Sequence, residues 1–437
     1  MLMSRKILKN AIVLTMNSNH ELLENTDIFI ENGIISEISP AINHKNCEEI
    51  DCSEFILMPG FINTHTHVAM SYMKGLADDL DLHTWLTRHI WPAEQKMLDF
   101  DFVYDASVHG ICEMIKNGIT CFNDMYFFEN ATAKACEKIG MRAVLGEGVI
   151  DFPAGLHDGS DSALNFIREL HRKYRNNRLI NIAVAPHAVY TASKETWIKA
   201  LNLAKELDLL LHFHLSETEK ENKDFFDKNK MSPTEMLQET GVLNHKSVAA
   251  HAIHLSENDI EILAESRTSI AVCTKSNLKL ISGFAPISSY EKAQINWSIA
   301  TDGVSSNNNL DLAEEASLTA KLHKCLNKDP EFLNAEKMLR QCTIRAAEAL
   351  GLEKETGSIE VGKAADIIFI DLNDIATQPI YDYYSQILYA MNSRQIRYVM
   401  INGKFVLKNR KLTIADEDQI LAKARIYKSK ILKITTE

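Results

Sequence analysis

The sequence predicts an α/β protein: a TIM-like (β/α)8 barrel with a small β domain built from both chain ends. Three observations predict it. Short apolar runs alternate with amphipathic segments, each chain end carries a hairpin signal, and residues suited to metal or proton chemistry follow five of the runs. With 437 residues, the chain exceeds the roughly 250 to 300 residues at which single cores stop growing, so a second, smaller domain is expected.

The two chain ends have the pattern of β structure. Asn32 and Gly33 separate two apolar runs near the start, and Asn402 and Gly403 separate two further apolar runs near the end. Asn-Gly between such runs is a strong hairpin signal. The simplest arrangement pairs both ends in one domain, and two separate hairpins are the alternative. The predicted bounds are 1–58 with 358–437 for the β domain, including a C-terminal helix, and 59–357 for the barrel.

Eight apolar runs predict eight parallel strands with helices between them. One such helix starts at Ser232, Pro233 and Glu235, which form a capping box with proline at the first helical position. Eight strand and helix units in one domain favour a barrel over an open sheet. In chain order the runs are FILMPGFIN, GITCFND, MRAVLGEGV, INIAVAP, LLLHFHL, SVAAHAI, TSIAVCT and INWSIATD.

Composition limits the class of protein. The formal net charge is 47 − 59 = −12 and no long basic block is present, which argues against a nucleic-acid partner. Eight scattered cysteines without a C-x-x-C pair predict reduced, mostly buried thiols. No signal peptide pattern and no run near the roughly 18 apolar residues of a membrane helix is found, so we expect a cytoplasmic protein without a membrane partner. The oligomeric state, a homo-oligomer included, is left open.

The ends of five runs carry histidines and carboxylates. They are His65 and His67 after the first, His187 after the fourth, His214 and Glu217 after the fifth, His251 after the sixth and Asp302 after the eighth. The active site of such a barrel lies at the C-terminal ends of its strands. Residues two apart in a strand project from one face, so the first pair presents its rings side by side. That pair alone is equally well explained as polar residues at a strand end.

Imidazole and carboxylate are zinc ligands, and a catalytic zinc site keeps one position for water. His65, His67, His214 and Asp302 would provide such a site. Bound metal lowers the pKa of water toward about 7, and Glu217 would carry the proton. The alternatives are a surface glutamate for Glu217 and a satisfied core histidine for His251. His212 repeats the H-x-H spacing and competes with His214 as a ligand.

Several motifs in this order carry a family resemblance. PGFINTHTH, HLSE, AAHAIHL, TDGVSSNN and GSIEVGKAADIIFID resemble the amidohydrolase superfamily over nearly the whole chain. GLADDLDLHTWLTRHIWPAE and APHAVYT resemble its branch of 5′-methylthioadenosine and S-adenosylhomocysteine deaminases. The resemblance implies a one-metal barrel with a β-sandwich from both chain ends. It also implies hydrolytic deamination of a small purine nucleoside, with no organic cofactor.

Carried over residue by residue, the resemblance implies specific roles. One divalent metal ion, expected to be Zn²⁺, is assigned to His65, His67, His214 and Asp302, Glu217 becomes the proton shuttle, and His251 and Asp302 orient the water and stabilise the new hydroxyl. Glu94 is placed on the ribose hydroxyls, His187 on the purine, Trp85 against the ligand and Ser306 near the base. The alternatives are helix capping for Glu94, core packing for Trp85 and a turn for Ser306.

One departure from the family predicts substrate preference. Relatives that accept S-adenosylhomocysteine well carry an arginine after the third strand that holds the amino acid carboxylate, and this chain has Glu147 at the matching position. Glutamate repels a carboxylate, so 5′-methylthioadenosine is the expected substrate, with adenosine and S-adenosylhomocysteine weaker. Alternatively Glu147 points away and Arg142 or Arg168 takes over. Deamination of guanine or an aminotriazine is the competing reaction, and a non-catalytic metal-binding relative is the competing class of protein.

Overall fold

The structure, a computed structural model, describes residues 4–435. Its strands form two sheets, one of eight strands and one of nine. The strands are β1 (Arg5–Leu14), β2 (Leu22–Glu31), β3 (Ile34–Ser39), β4 (Glu48–Asp51), β5 (Phe55–Pro59), β6 (Phe61–Thr66), β7 (Ile119–Tyr126), β8 (Arg142–Val149), β9 (Ile180–Pro186), β10 (Leu210–Leu215), β11 (Ser247–His251), β12 (Thr268–Val272), β13 (Trp297–Ile299), β14 (Ile367–Asp371), β15 (Ile396–Ile401), β16 (Lys404–Lys408) and β17 (Lys411–Leu412).

The described helices connect the strands of the eight-stranded sheet, follow its last strand, or lie between and after the later strands of the nine-stranded sheet. They are α1 (Leu82–Trp85), α2 (Trp91–Met97), α3 (Phe100–Lys116), α4 (Glu129–Ile139), α5 (Ser160–Tyr174), α6 (Lys194–Leu207), α7 (Glu219–Asn229), α8 (Pro233–Glu239), α9 (Glu257–Ala264), α10 (Thr274–Lys279), α11 (Ile287–Lys292), α12 (Val304–Asn307), α13 (Leu312–Asn327), α14 (Ala335–Gln341), α15 (Ile344–Leu350), α16 (Tyr383–Ser385) and α17 (Glu417–Thr435). Short 3₁₀ or π segments span Val68–Met73, Leu86–Ile90, Val242–Asn244, Gln386–Ala390 and Ser393–Gln395. The capping box predicted at Ser232 is confirmed, with both reciprocal hydrogen bonds to Glu235 present.

The eight-stranded sheet is the predicted parallel barrel, with β6 to β13 adjacent in chain order. Side chains join its first strand to its last. The Asn63 side chain donates to Thr301 Oγ1 at 2.7 Å and accepts from the Thr301 backbone N–H at 3.0 Å. The Asp302 backbone N–H donates to the His65 carbonyl at 3.1 Å. The two ends of the barrel sequence are therefore held side by side.

The first apolar run contains two strands rather than one. Phe55–Pro59 joins the nine-stranded sheet, whereas Phe61–Thr66 opens the barrel. Gly60 lies between them, and a Cβ atom there would come within 2.1 Å of Thr120 Cγ2. Only glycine fits this close approach, so the chain changes sheet at this residue.

Both chain ends contribute to the nine-stranded mixed sheet. Its order is β17-β16-β15-β14-β5-β1-β2-β3, with β4 also paired to β1, so the alternative of two separate hairpins is wrong. Both predicted hairpin turns are confirmed: Asn32 and Gly33 have φ of 52° and 90°, and Asn402 and Gly403 have φ of 48° and 71°. Such positive angles are those of the hairpin turn that Asn-Gly favours.

The domain bounds 1–58 with 358–437 and 59–357 remain our proposal. Strand β5 of the nine-stranded sheet ends at Pro59, one residue beyond the first proposed bound. All eight cysteines lie within the described residues and are free, and six of them are buried. Within residues 4–435, no helix combines the length and apolar character needed to cross a bilayer.

Candidate active site

The predicted residues meet at the C-terminal end of the barrel. His65 lies in β6 and His67 directly follows it, His187 follows β9, His214 lies in β10, Glu217 is two residues beyond that strand, His251 ends β11 and Asp302 follows β13. All of them are buried except His67 and His187, which are half-buried. The ring centroid of His65 lies 4.8 Å from that of His67 and 4.9 Å from that of His214. Residues far apart in sequence thus form one compact cluster.

Two groups of three side chains within this cluster have the geometry of metal ligands. They are His65 with His214 and His251, and His65 with His67 and Asp302, and the ligand atoms of each group lie within 4.8 Å of one another. Asp302 Oδ1 is 3.2 Å from His67 Nε2 and 3.4 Å from His65 Nε2. These short distances bring an anionic oxygen and imidazole nitrogens to a common point.

Backbone carbonyls fix the orientation of two of the rings. His67 Nδ1 donates to the Met125 carbonyl, and His214 Nδ1 donates to the His187 carbonyl at 3.0 Å. A carbonyl can only accept a hydrogen bond, so in each neutral ring the proton sits on Nδ1. The lone pair of Nε2 then faces the centre of the cluster, as metal ligation requires.

The site fits a divalent metal ion. Among the described residues, no hydrogen-bond partner reaches the buried Nε2 of His65. A buried polar atom without a partner is costly, and a cation at the centre would remove that cost. Three imidazoles and one carboxylate form a set that zinc accepts. Burial alone lowers the pKa of a histidine, but the hydrogen bond to Asp302 and its charge raise the pKa of His67 to about 9, and a metal ion at the centre would displace the proton that this favours.

His212 lies behind His65 rather than in the cluster centre. Its Nε2 is 2.8 Å from His65 Nδ1, and burial holds its pKa well below the ordinary value, so the ring is neutral. Hydrogen-bonding partners of this kind orient a ligand and tune its basicity.

We therefore expect His212→Ala to weaken metal binding about 10- to 100-fold, the usual effect of removing an outer-shell partner, and His214→Ala to weaken it far more. Competition with a chelator of known affinity measures both. Equal losses in the two variants would show that His212 is itself a ligand.

Glu217 is buried, at 6% exposure, so the alternative of a surface glutamate is wrong. Its Oε1 accepts a hydrogen bond from Ser282 Oγ at 3.2 Å, and its Oε2 lies 3.7 Å from His251 Nε2. Burial raises the pKa of Glu217, which is the condition of a carboxyl that exchanges a proton near neutral pH. His251 is oriented by Asn277 Oδ1, 2.8 Å from its Nδ1.

Asp302 is held by a network that the sequence did not predict. Ser276 Oγ donates to Asp302 Oδ2 at 2.6 Å, and the Gly303 backbone N–H donates to Oδ1 at 2.7 Å. Burial raises the pKa of Asp302, but the close imidazoles of His65 and His67 outweigh it and hold that pKa well below its usual value. Ser276 and Asn277 both lie in α10, directly after the seventh strand, and the polar TKSN following that apolar run was the available signal.

Ser306 lies beside Asp302 and is not among the residues that line the cavity in front of the cluster. Its Oγ donates to Asp302 Oδ2 at 3.1 Å and also approaches the Gly303 carbonyl, and the side chain is buried. The contact that the structure shows for this hydroxyl is with the carboxylate of Asp302, and contact with the base stays a prediction. The family resemblance placed Ser306 near the base but did not give the direction of its hydroxyl.

A cavity of about 670 Å³ opens in front of the cluster. Trp85, Glu94 and His187 line it, together with Tyr126, whose hydroxyl donates to Glu94 Oε1 at 2.6 Å. Burial raises the pKa of Glu94 to about 7. Glu94 lies in the first turn of α2, but its carboxylate faces the cavity instead of capping the helix.

Glu147 is the predicted residue whose position differs most. It is fully buried near the end of β8 and does not line the cavity. Its carboxylate accepts hydrogen bonds from the backbone N–H groups of Phe128 and Glu129, at 3.0 and 2.8 Å, and lies 2.9 Å from His157 Nε2. Direct repulsion of a substrate carboxylate by Glu147 is therefore not supported by the structure.

Neither proposed substitute for the missing arginine reaches the cavity. Arg142 Nε donates to Asp366 Oδ2 at 2.7 Å, and Arg168 pairs with Glu206 on the surface. Of the described residues that line the cavity, none is lysine or arginine, whereas Glu94, Asp158, Glu217 and Asp302 all line it. The cavity thus favours a neutral or cationic ligand over an anionic one.

Three kinds of comparison with known proteins all match this chain to amidohydrolases and adenine nucleoside deaminases. Residues 56–406 match the amidohydrolase family. A 5-methylthioadenosine/S-adenosylhomocysteine deaminase of Thermodesulfovibrio yellowstonii is 43% identical over 424 residues, 96% of this chain and 97% of that protein. A 5′-deoxyadenosine deaminase of Methanobrevibacter smithii is 40% identical over 96% of each chain. The crystal structure of an adenosine deaminase from Xanthomonas campestris with bound zinc matches with a TM-score of 0.95 at 35% identity, over 98% of this chain and 99% of that one.

Proposed function

This chain belongs to the amidohydrolase family, and from that premise we propose that it is a metal-dependent deaminase of adenine nucleosides. The observation that carries the proposal is the cluster of three imidazoles and Asp302 beside the buried carboxyl of Glu217, at one end of a cavity large enough for a nucleoside. The products would be the inosine analogue and ammonia.

We propose that His65, His67, His214 and Asp302 hold one divalent ion per chain. Zn²⁺ is the expected ion, because the ligand set suits it and the Xanthomonas campestris relative is solved with zinc. When bound, such an ion polarises water and makes hydroxide available at neutral pH. His251 is not needed as a ligand in this assignment and keeps Nε2 for the reacting water.

Glu217 would move the protons. Its carboxylate takes a proton from the attacking water and delivers it to N1 of the purine, while the water oxygen adds to C6. Because burial raises the pKa of Glu217, the same carboxyl group can both take up and release a proton. His251 and Asp302 would hydrogen-bond the new hydroxyl on C6. That hydroxyl then gives its proton to the amino group by way of these side chains, the C6–N bond breaks, and ammonia leaves as the C6 carbonyl forms.

The cavity lining would orient the rest of the nucleoside. Tyr126 already donates to one oxygen of Glu94, so the other oxygen is available to accept from the ribose hydroxyls. His187, oriented by Thr191 Oγ1 at 3.0 Å from its Nδ1, faces the cavity beside His214 and would contact the purine. Trp85 would pack against the ligand.

We expect 5′-methylthioadenosine to be the preferred substrate, converted to 5′-methylthioinosine. A cavity without a lining lysine or arginine gives the carboxylate of S-adenosylhomocysteine no partner, so we expect its kcat/KM to be lower by about tenfold or more. Adenosine should also be weaker, because its polar 5′-hydroxyl would meet the apolar side chains of Ile150, Phe152 and Leu156 that line the cavity. Absorbance assays of the three substrates on one preparation test the order, and a kcat/KM for S-adenosylhomocysteine equal to or above that for 5′-methylthioadenosine would contradict it.

The same assay separates the competing functions. Guanine and an aminotriazine are included in the screen, and turnover of either without turnover of any adenine nucleoside would replace our proposal. A protein that binds one metal ion per chain and converts none of these compounds would be a non-catalytic relative. Conversion of adenine nucleosides to inosine products is the expected result.

We further propose a cytoplasmic location, supported by the eight free cysteines. The proposed partner is the small-molecule purine nucleoside itself.

A further inference from the structure

We propose that Glu147 and His157 form an internal tether that positions one wall of the cavity, and that this wall selects the 5′ substituent of the substrate. The wall is the segment 150–158, which follows β8. The inference rests on the proposed function for the nature of the ligand. It assigns Glu147 a positioning role in place of the substrate contact that its sequence position suggested.

The carboxylate of Glu147 joins three parts of the barrel. Glu147 lies in β8, its oxygens accept from the backbone N–H groups of Phe128 and Glu129 at the start of α4, and Oε1 also lies 2.9 Å from His157 Nε2. The carboxylate is fully buried, and His157 is only 5% exposed. Hydrogen bonds to a buried charged group are among the stronger ones, so this junction resists displacement.

His157 in turn fixes the shape of the wall. Its backbone exchanges two hydrogen bonds with Ala154, each of 3.0 Å, which closes the segment into a tight turn. Its Nδ1 lies 3.2 Å from Ser162 Oγ in α5, and its ring packs against Phe166 at a centroid distance of 5.3 Å. The imidazole therefore connects the turn to both β8 and α5.

The wall also packs on Phe127, the residue before the α4 amides that Glu147 binds. A Cβ atom on Gly155 would lie 2.8 Å from Phe127 Cβ, and one on Gly148 would lie 3.2 Å from Phe127 Cε1. Phe127 itself lines the cavity. Glu147 thus holds both the α4 amides next to Phe127 and, through His157, the wall that packs on Phe127. Loss of this carboxylate would loosen the contact between the wall and Phe127 from both sides.

The residues of the wall are mostly apolar where they face the cavity. Besides His157 and Asp158, the wall residues that line the cavity are Ile150, Phe152, Pro153, Ala154, Gly155 and Leu156. Phe152 and Leu156 remain 44% and 41% exposed, which is unusual for large apolar side chains beside a cavity unless a ligand covers them. With the base at the metal cluster and the ribose at Glu94, the 5′ substituent is the part of the nucleoside left to cover this wall. A neutral thioether or alkyl group fits that surface.

The test compares substrates on tether variants. His157→Leu removes the donor to Glu147, His157→Gln restores a donor of similar reach, and Glu147→Gln removes the charge. Glu169→Gln makes the same chemical change at an exposed position of α5 and serves as the control. Each variant is assayed with 5′-methylthioadenosine and with adenosine, which lacks the apolar substituent.

We expect His157→Leu and Glu147→Gln to raise KM for 5′-methylthioadenosine about tenfold, the scale of one apolar contact in a pocket, with kcat little changed. kcat/KM for adenosine should change by less than about threefold, and His157→Gln should recover most of the loss. Glu169→Gln should match the wild type. An equal loss for both substrates, or no change for either, would overturn the proposal.

A second measurement does not depend on activity. Limited proteolysis should cleave the segment 150–158 faster in His157→Leu than in the wild type or Glu169→Gln, and equal rates would overturn the tether. If the wild type deaminates no adenine nucleoside, the proposed function fails while proteolysis still decides whether the tether exists. If Glu147→Gln does not fold, the His157→Leu variant alone tests both the substrate selection and the tether, because His157 is slightly more exposed than Glu147.

Discussion

Glu217→Gln should lower kcat by about a hundredfold or more, the usual effect of removing a general acid or base, while metal content and fold stay unchanged. The amide keeps the size of the side chain and can still accept from Ser282, but it can neither take a proton from water nor deliver one to the purine. Steady-state assays with 5′-methylthioadenosine, metal analysis and thermal unfolding of the same preparation check the three parts of this expectation.

Glu219→Gln is the matched control, since Glu219 is exposed at the start of α7 only two residues further along the chain. It should behave as the wild type. A near-normal rate in Glu217→Gln with intact metal would remove Glu217 from the proton transfer and leave His251 as the group to test next.

His65→Ala and His67→Ala should each abolish activity and bound metal, whereas the wild type should contain close to one divalent ion per chain. Each change removes an imidazole nitrogen from the proposed four-ligand site, and the buried carboxylate of Asp302 then loses a close imidazole neighbour. Metal analysis after gel filtration, together with the deaminase assay, measures both effects.

His83→Ala is the control for these variants, because His83 is exposed in α1. Full turnover after chelation and dialysis into metal-free buffer would contradict the metal-dependent mechanism, whichever ligands had been assigned.

The sequence was most informative about positions along strands. His65, His67, His214 and Asp302 could be predicted because their place at the end of an apolar run fixes both the face and the end of the barrel where they lie. The hairpin turns were predictable for a similar reason, since Asn-Gly has few alternatives. These features depend on local spacing, which the sequence displays directly.

Directions of side chains were less predictable. Glu147 and Ser306 lie near the site, but the first turns toward the α4 amides and the second toward Asp302, because partners from distant parts of the chain are available there. The single apolar run around Gly60 hid a change of sheet that depends on the close approach of Thr120. Such contacts arise only when the whole barrel is assembled.

The closure of the barrel by side chains connects metal binding to folding. Asn63 and Thr301 are 238 residues apart in the chain, and His65 and Asp302, two residues and one residue further along, are both ligands of the proposed site. A nascent chain therefore has no complete site until its last barrel strand has docked on its first. Closing a loop of this length costs conformational entropy, so the ion would bind only after the barrel has closed. Because it binds the folded chain alone, it would then stabilise the barrel against unfolding by mass action.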